Sequence, residues 1–152
     1  MSDLAPLSVG QTVLHHTQRW TADGWQPVVE RLKVVRPLVE NDPTYAGHIE
    51  LAADRYSQSV FVTRDAIQTL AEAGEAVTDW TADDWGRLAT AAAMFIGVDD
   101  GPEWDAVSER VQAQVDAGFL SLIRKGSPRL FRATDLGKAA LLQQRRAPTG
   151  QG

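Results

Sequence analysis

The sequence predicts an α+β fold: an N-terminal antiparallel β-sheet with a helix, then a C-terminal region of helices around a hairpin. Three observations predict it. Asp23-Gly24 divides two strand-like runs, a strong hairpin signal. Trp85, Leu88, Ala89 and Ala92, and later Val107, Val111 and Val115, recur at helical spacing. Phe119, Leu120, Leu122 and Ile123 then form a short apolar run that leads into a basic turn and a second strand-like run.

Residues 1–10 read as a flexible lead-in. Residues 11–20 form the first predicted strand, 22–24 the turn and 25–35 the return strand. Pro37, Asn41, Asp42, Pro43 and Gly47 break the chain before a strand over 48–53. A turn over 54–58 precedes a strand over 59–62. Thr63 is placed to cap a helix with Ala66, Ile67, Leu70 and Ala71 on its apolar face, ending at Gly74. By topology alone, four strands and a helix are similar to the ββββα unit of coactivator-type single-strand-binding proteins.

Thr81 and Asp84 have the spacing of a capping box, with Trp80 and Trp85 at the staple positions, so a helix is expected over 82–96. The same Trp-Thr-Ala-Asp-x-Trp pattern at Trp20–Trp25 has Gly24 in place of the acid and Pro27 beyond it, so a hairpin turn is expected there. The loop 97–101 precedes a helix over 102–117, opened by Pro102 and closed by Gly118. After the strands, Thr134 supplies an N-cap hydroxyl and Asp135 a negative charge in the first turn of a closing helix. Helices over 64–73, 82–96 and 102–117 are expected to share one core. Two regions result, 1–76 and 77–146, either as separate bodies or packed as one. A disordered tail is expected over 147–152.

Ala117, Gly118, Phe119 and Leu120, then Phe131, Arg132, Thr134, Asp135, Gly137 and Lys138, resemble the end of MarR- and PadR-type winged-helix regulators. In those proteins a recognition helix runs into a basic wing, and a strand leads into a Thr-Asp-x-Gly-Lys turn. The resemblance implies a winged-helix region and DNA contact, and covers about a quarter of the chain. One departure stands out. The helix before the wing carries Glu103, Asp105, Glu109 and Asp116 against Arg110, and carboxylates repel phosphates.

The 152 residues carry a net charge of −5, distributed unevenly. Residues 1–102 hold 15 acidic and 7 basic side chains, and residues 103–152 hold 5 and 8. A basic end on an acidic body suits nucleic-acid contact, although Lys and Arg also serve simply to solvate a surface. The chain has no cysteine, which excludes disulfides and thiolate metal sites. No run is long enough for a membrane span, and the opening MSDLAPLSVG lacks the regions of a signal peptide. A soluble cytoplasmic protein is expected.

No nucleophile elbow, phosphate-cradling glycine loop or HExxH pattern is present, so no enzyme activity and no cofactor are expected. His15 and His16, adjacent on a strand, face opposite sides and cannot readily share a metal. Asp99 and Asp100 read as solvated turn residues. Nucleic-acid contacts are expected from Arg124, Lys125, Arg129 and Arg132 in the wing, with Lys138 beside them and Arg110 on the preceding helix. Trp20 and Trp25 flank the first hairpin turn, where they could stack on a base, pack on a second subunit or pack on each other. The expected function is DNA binding or transcription regulation, with duplex preferred over single-stranded DNA and a homodimer as one possible form. The alternative is a protein-interaction module on the same scaffold.

Overall fold

Val13 and His15 are buried on one strand, and Leu32 and Val34 on the next. Leu14 between Val13 and His15 is buried as well, so this end of the first strand is covered on both faces, and exposure begins at His16. The computed structural model describes residues 6–52 and 59–146. The chain divides into two compact units, Met1–Ala76 and Val77–Gly152, and its class is α+β, with antiparallel sheets and three helices.

The first unit contains β1 (Thr12–Thr21), β2 (Gly24–Arg36), β3 (Ile49–Ala52), β4 (Ser59–Val62) and β5 (Ile67–Thr69). They form one sheet in the order β4-β3-β2-β1-β5, antiparallel throughout. Val13, Leu32, Val34, Ile49, Leu51, Val62 and Ile67 make its core. The hairpin closes one residue earlier than Asp-Gly suggests, since Thr21 pairs with Gly24 and the loop is Ala22-Asp23. Gly24 takes the left-handed φ of 96° that the reversal requires.

Two expectations for this unit are corrected. The helix expected over 64–73 is a 3-10 turn (Arg64–Ala66), strand β5 and a turn. Ile67 and Leu70 are buried, as a helix would also have buried them, but the backbone instead pairs with β1, joining His15 to Ile67 and Val13 to Thr69. The Thr69 N–H donates to Glu72, whose own N–H donates to the Thr69 hydroxyl, and Arg64 pairs with the same carboxylate. Burial would raise the Glu72 carboxyl, but the Thr69 N–H and Arg64 outweigh it and hold it below its ordinary range. The ββββα likeness therefore fails, because no α-helix occurs among the described residues of this unit. The lead-in is also ordered where it is described. Ser8 is buried, Leu7 packs on the core and the Gly10 N–H donates to the Val34 carbonyl. Residues 1–5, the turn over 54–58 and the tail over 147–152 lie outside the described residues.

The second unit runs α1 (Ala82–Ala93), β6 (Ile96–Val98), α2 (Asp105–Asp116), β7 (Leu120–Arg124), β8 (Arg129–Ala133) and α3 (Asp135–Arg146). Its sheet order is β6-β8-β7. A 3-10 turn, Pro102–Trp104, leads into α2. The helix expected over 82–96 stops at Ala93, and the loop expected over 97–101 begins inside a strand. Ile96, Gly97 and Val98 pair with Phe131, Leu130 and Arg129, so the sheet takes the backbone that the apolar pattern assigned to a helix.

Leu88, Ala91, Val98, Val111, Val115, Leu120, Phe131, Ala133 and Leu141 form the core of this unit. Its three helices are α1, α2 and α3, and segment 64–73 is not among them. The Thr81–Asp84 capping box is formed, and Gly118 ends α2 with a φ of 85°. Trp80 and Trp85 both lie against the Phe119 ring, at 5.6 and 6.4 Å between centroids. Gly137 allows the closest packing in the unit. A Cβ there would overlap the Phe119 carbonyl, while the Gly137 N–H donates to the Thr134 hydroxyl and Thr134 donates to the Gly118 carbonyl.

Candidate nucleic-acid interface

Strand β8 alternates Phe131 and Ala133 into the core with Arg132 outward, and β7 pairs with it through Leu120–Ala133 and Leu122–Phe131. The register shifts between Leu122 and Arg124, which frees the end of β7 from strict alternation and exposes Ile123 and Arg124 together. Residues 125–128 close the hairpin. Arg124 and Lys125 at its end are exposed, as is Lys138 on the first turns of α3, and no carboxylate among the described residues pairs with any of the three.

The other expected cations are engaged. Arg129 donates to the Ser108 hydroxyl at 2.9 Å and lies over the Phe131 ring. Arg132 donates through Nε to the Met94 carbonyl at 3.2 Å while remaining exposed. Arg110 is the most heavily committed. It pairs with both oxygens of Asp84, donates to the Asp79 carbonyl at 3.1 Å and lies 5.6 Å from the centre of the Trp80 ring. Its role here is to hold α2 against the start of α1.

Asp84 is the group that the sequence undervalued. It has the capping-box position, but nothing in the spacing marks its 0% exposure or its partners Arg87 and Arg110, the latter 26 residues away. Gln114, also buried, donates to its backbone carbonyl. Burial alone would raise the Asp84 carboxyl. The Arg110 guanidinium, with the Thr81 N–H and hydroxyl, outweighs burial and lowers the pKa to about 2.

No protein-family model, curated protein or solved structure matches this chain.

Beside the hairpin, Ser127 donates to Asp99 at 2.7 Å, and a cavity of about 320 Å³ opens among Asp99, Asp100, Trp104, Asp105 and Arg129. Its carboxylates suit a cationic guest and repel a phosphate. Asp99 is half-buried and Asp100 exposed, and among the described residues no group of three His, Cys, Asp or Glu side chains could hold a metal. No helix among the described residues is long and apolar enough to cross a membrane.

In the first unit Trp20 and Trp25 are 67% and 63% exposed. They are also cross-strand partners, their rings 5.4 Å apart and edge-to-face at 70°. Exposure and mutual packing coexist. His15 is buried beside Glu30 and His16 is exposed beside Gln68, on opposite faces of β1.

Proposed function

We propose that the second unit is a winged-helix module, and that the protein is a DNA-binding or transcription-regulating protein whose β7–β8 hairpin lies along a duplex as the wing. The observation that carries this reading is the set of unpaired, exposed cations Arg124, Lys125 and Lys138 at and beside the hairpin. From Phe119 onward Asp135 is the sole acidic residue against seven basic ones. The order β6-β8-β7, with α2 running directly into β7, supports the wing assignment. Contact through the hairpin supplies phosphate attraction, and each phosphate neutralised adds salt dependence rather than base choice. Asp105, Glu109 and Asp116 make α2 a poor reader of base edges.

The test is a titration of the full chain with a short duplex at two salt concentrations. The comparison is a variant with Arg124→Ala, Lys125→Ala and Lys138→Ala, three changes that disturb no partner. Binding that weakens with salt in the wild type and falls about tenfold or more in the variant, with a shallower salt slope, supports the wing. Equal binding by the two proteins removes it. The carboxylate-lined cavity beside the hairpin favours a second reading, a protein-interaction module that takes a Lys or Arg side chain of a partner. No DNA binding at low salt would leave that reading standing.

A further inference from the structure

The β1–β2 hairpin outruns the sheet that supports it. Among the described residues, β5 pairs with β1 at residues 13–15 and β3 pairs with β2 at residues 33–36. Among the described residues, from His16–Val29 outward to Thr21–Gly24 the two strands pair only with each other. These six rows extend about 20 Å, and both edges of the ribbon keep unpaired ladder groups among the described residues. An isolated two-stranded ribbon is marginal in water.

One face of this ribbon carries its apolar surface. Register places Trp20, Gln18 and His16 beside Trp25, Pro27 and Val29 on that face, all exposed. Val29 is 55% exposed, adding an aliphatic patch to the two indoles. No Asp or Glu projects from these rows on this face. At its foot Arg31 is already neutralised by Glu75. Contiguous exposed apolar surface of this kind marks an interaction site.

We infer that this ribbon is a self-association surface, taking a second copy of the chain through its Trp20–Trp25 face. Charge selects the occupant. Two chains of net charge −5 repel one another, and the repulsion is least where the surface is neutral. Nucleic acid would need free cations on the ribbon face, and the Gln and Trp side chains there offer none. The area is sufficient. Four indoles expose about 150 Å² each, and with Pro27 and Val29 from both copies the buried total comes to about 1,000 Å².

The experiment is sedimentation velocity of the full chain over a concentration series, repeated with Trp20→Ser/Trp25→Ser and, separately, with Gln18→Glu. The second variant adds a charge to the face and leaves the indole pair in place. The expected result is a wild-type dimer whose dissociation constant rises at least tenfold in each variant, with unchanged circular dichroism. Salt should strengthen the dimer by screening like charges, opposite in sign to its effect on duplex binding. A wild type that stays monomeric at high concentration overturns the inference. So does a dimer unaffected by both variants, or indole fluorescence that responds to single-stranded oligonucleotide in a monomer. None of these outcomes bears on the hairpin variant of the second unit, so the two readings fail separately.

Discussion

The two units solve the problem of charge in opposite ways. In the first, Arg19–Glu30, Arg31–Glu75 and Arg36–Glu50 lie around an apolar cluster, and the buried polar side chains Ser8, Gln11, His15 and Thr69 include no carboxylate. In the second, one carboxylate is fully buried, and two arginines, a cap and the α1–α2 contact converge on it. Surface pairs gain little because water screens both members. A buried pair gains little over an apolar substitute, yet removing one member leaves the other stranded at high cost. The first unit should therefore tolerate loss of an ion pair, and the second should not. The outer surfaces divide in the reverse sense. The all-strand unit exposes neutral aromatic rings, and the helical unit exposes unpaired cations.

The contrast can be broken most severely at Gly137→Ala. The added methyl meets the Phe119 carbonyl, a backbone atom that cannot rotate away, so α3 must lift from the β7 end. A loss of about 3 kcal/mol is expected in denaturant unfolding. Gly24→Ala, with open space at its Cβ but a φ of 96°, should cost only about 1 kcal/mol.

Asp84→Asn should weaken the second unit on a similar scale. It leaves Arg110 and Arg87 beside a neutral amide, and about 3 kcal/mol should be lost at neutral pH. The wild-type protein carries a pH signature of the same group. The folded-state pKa is about 2 against an ordinary 3.8, so the stabilisation is complete above pH ~4 and disappears as pH falls through about 2. Acid unfolding of the asparagine variant should lack that component. The smallest effect is expected at Glu75→Gln in the first unit. Its partner Arg31 is 58% exposed, and less than about 1 kcal/mol should change in the same assay.

Much of this was legible in the residues, because the signals were local. The hairpin, the capping box, Pro102 at the entry to α2, Gly118 at its exit and the Thr134 cap each depend on neighbours a few positions apart. The segments 64–73 and 94–98 were misread for one shared reason. Short apolar runs with helical spacing fit a strand equally well, and strand pairing with a distant partner decides between them. Within the candidate site, basic composition grouped Arg124, Lys125 and Lys138, which are exposed, with the other expected contacts. It could not separate them from Arg110, Arg129 and Arg132, whose hydrogen bonds arise from residues 21 to 38 positions away.

The sequence by itself determined the α+β class, the order of most elements, the chemistry of the helix ends and the gathering of positive charge after Phe119. Those follow from dihedral preference, hydrophobic period and charge, all of which act over a few residues. Tertiary structure alone decided that β5 is a strand, that Asp84 is buried, that three of the six expected cations are already engaged, and that Trp20 and Trp25 pack edge-to-face across an exposed hairpin. Each depends on which distant segment arrives alongside, and long-range pairing is set by the packing of the whole unit rather than by any one stretch of it.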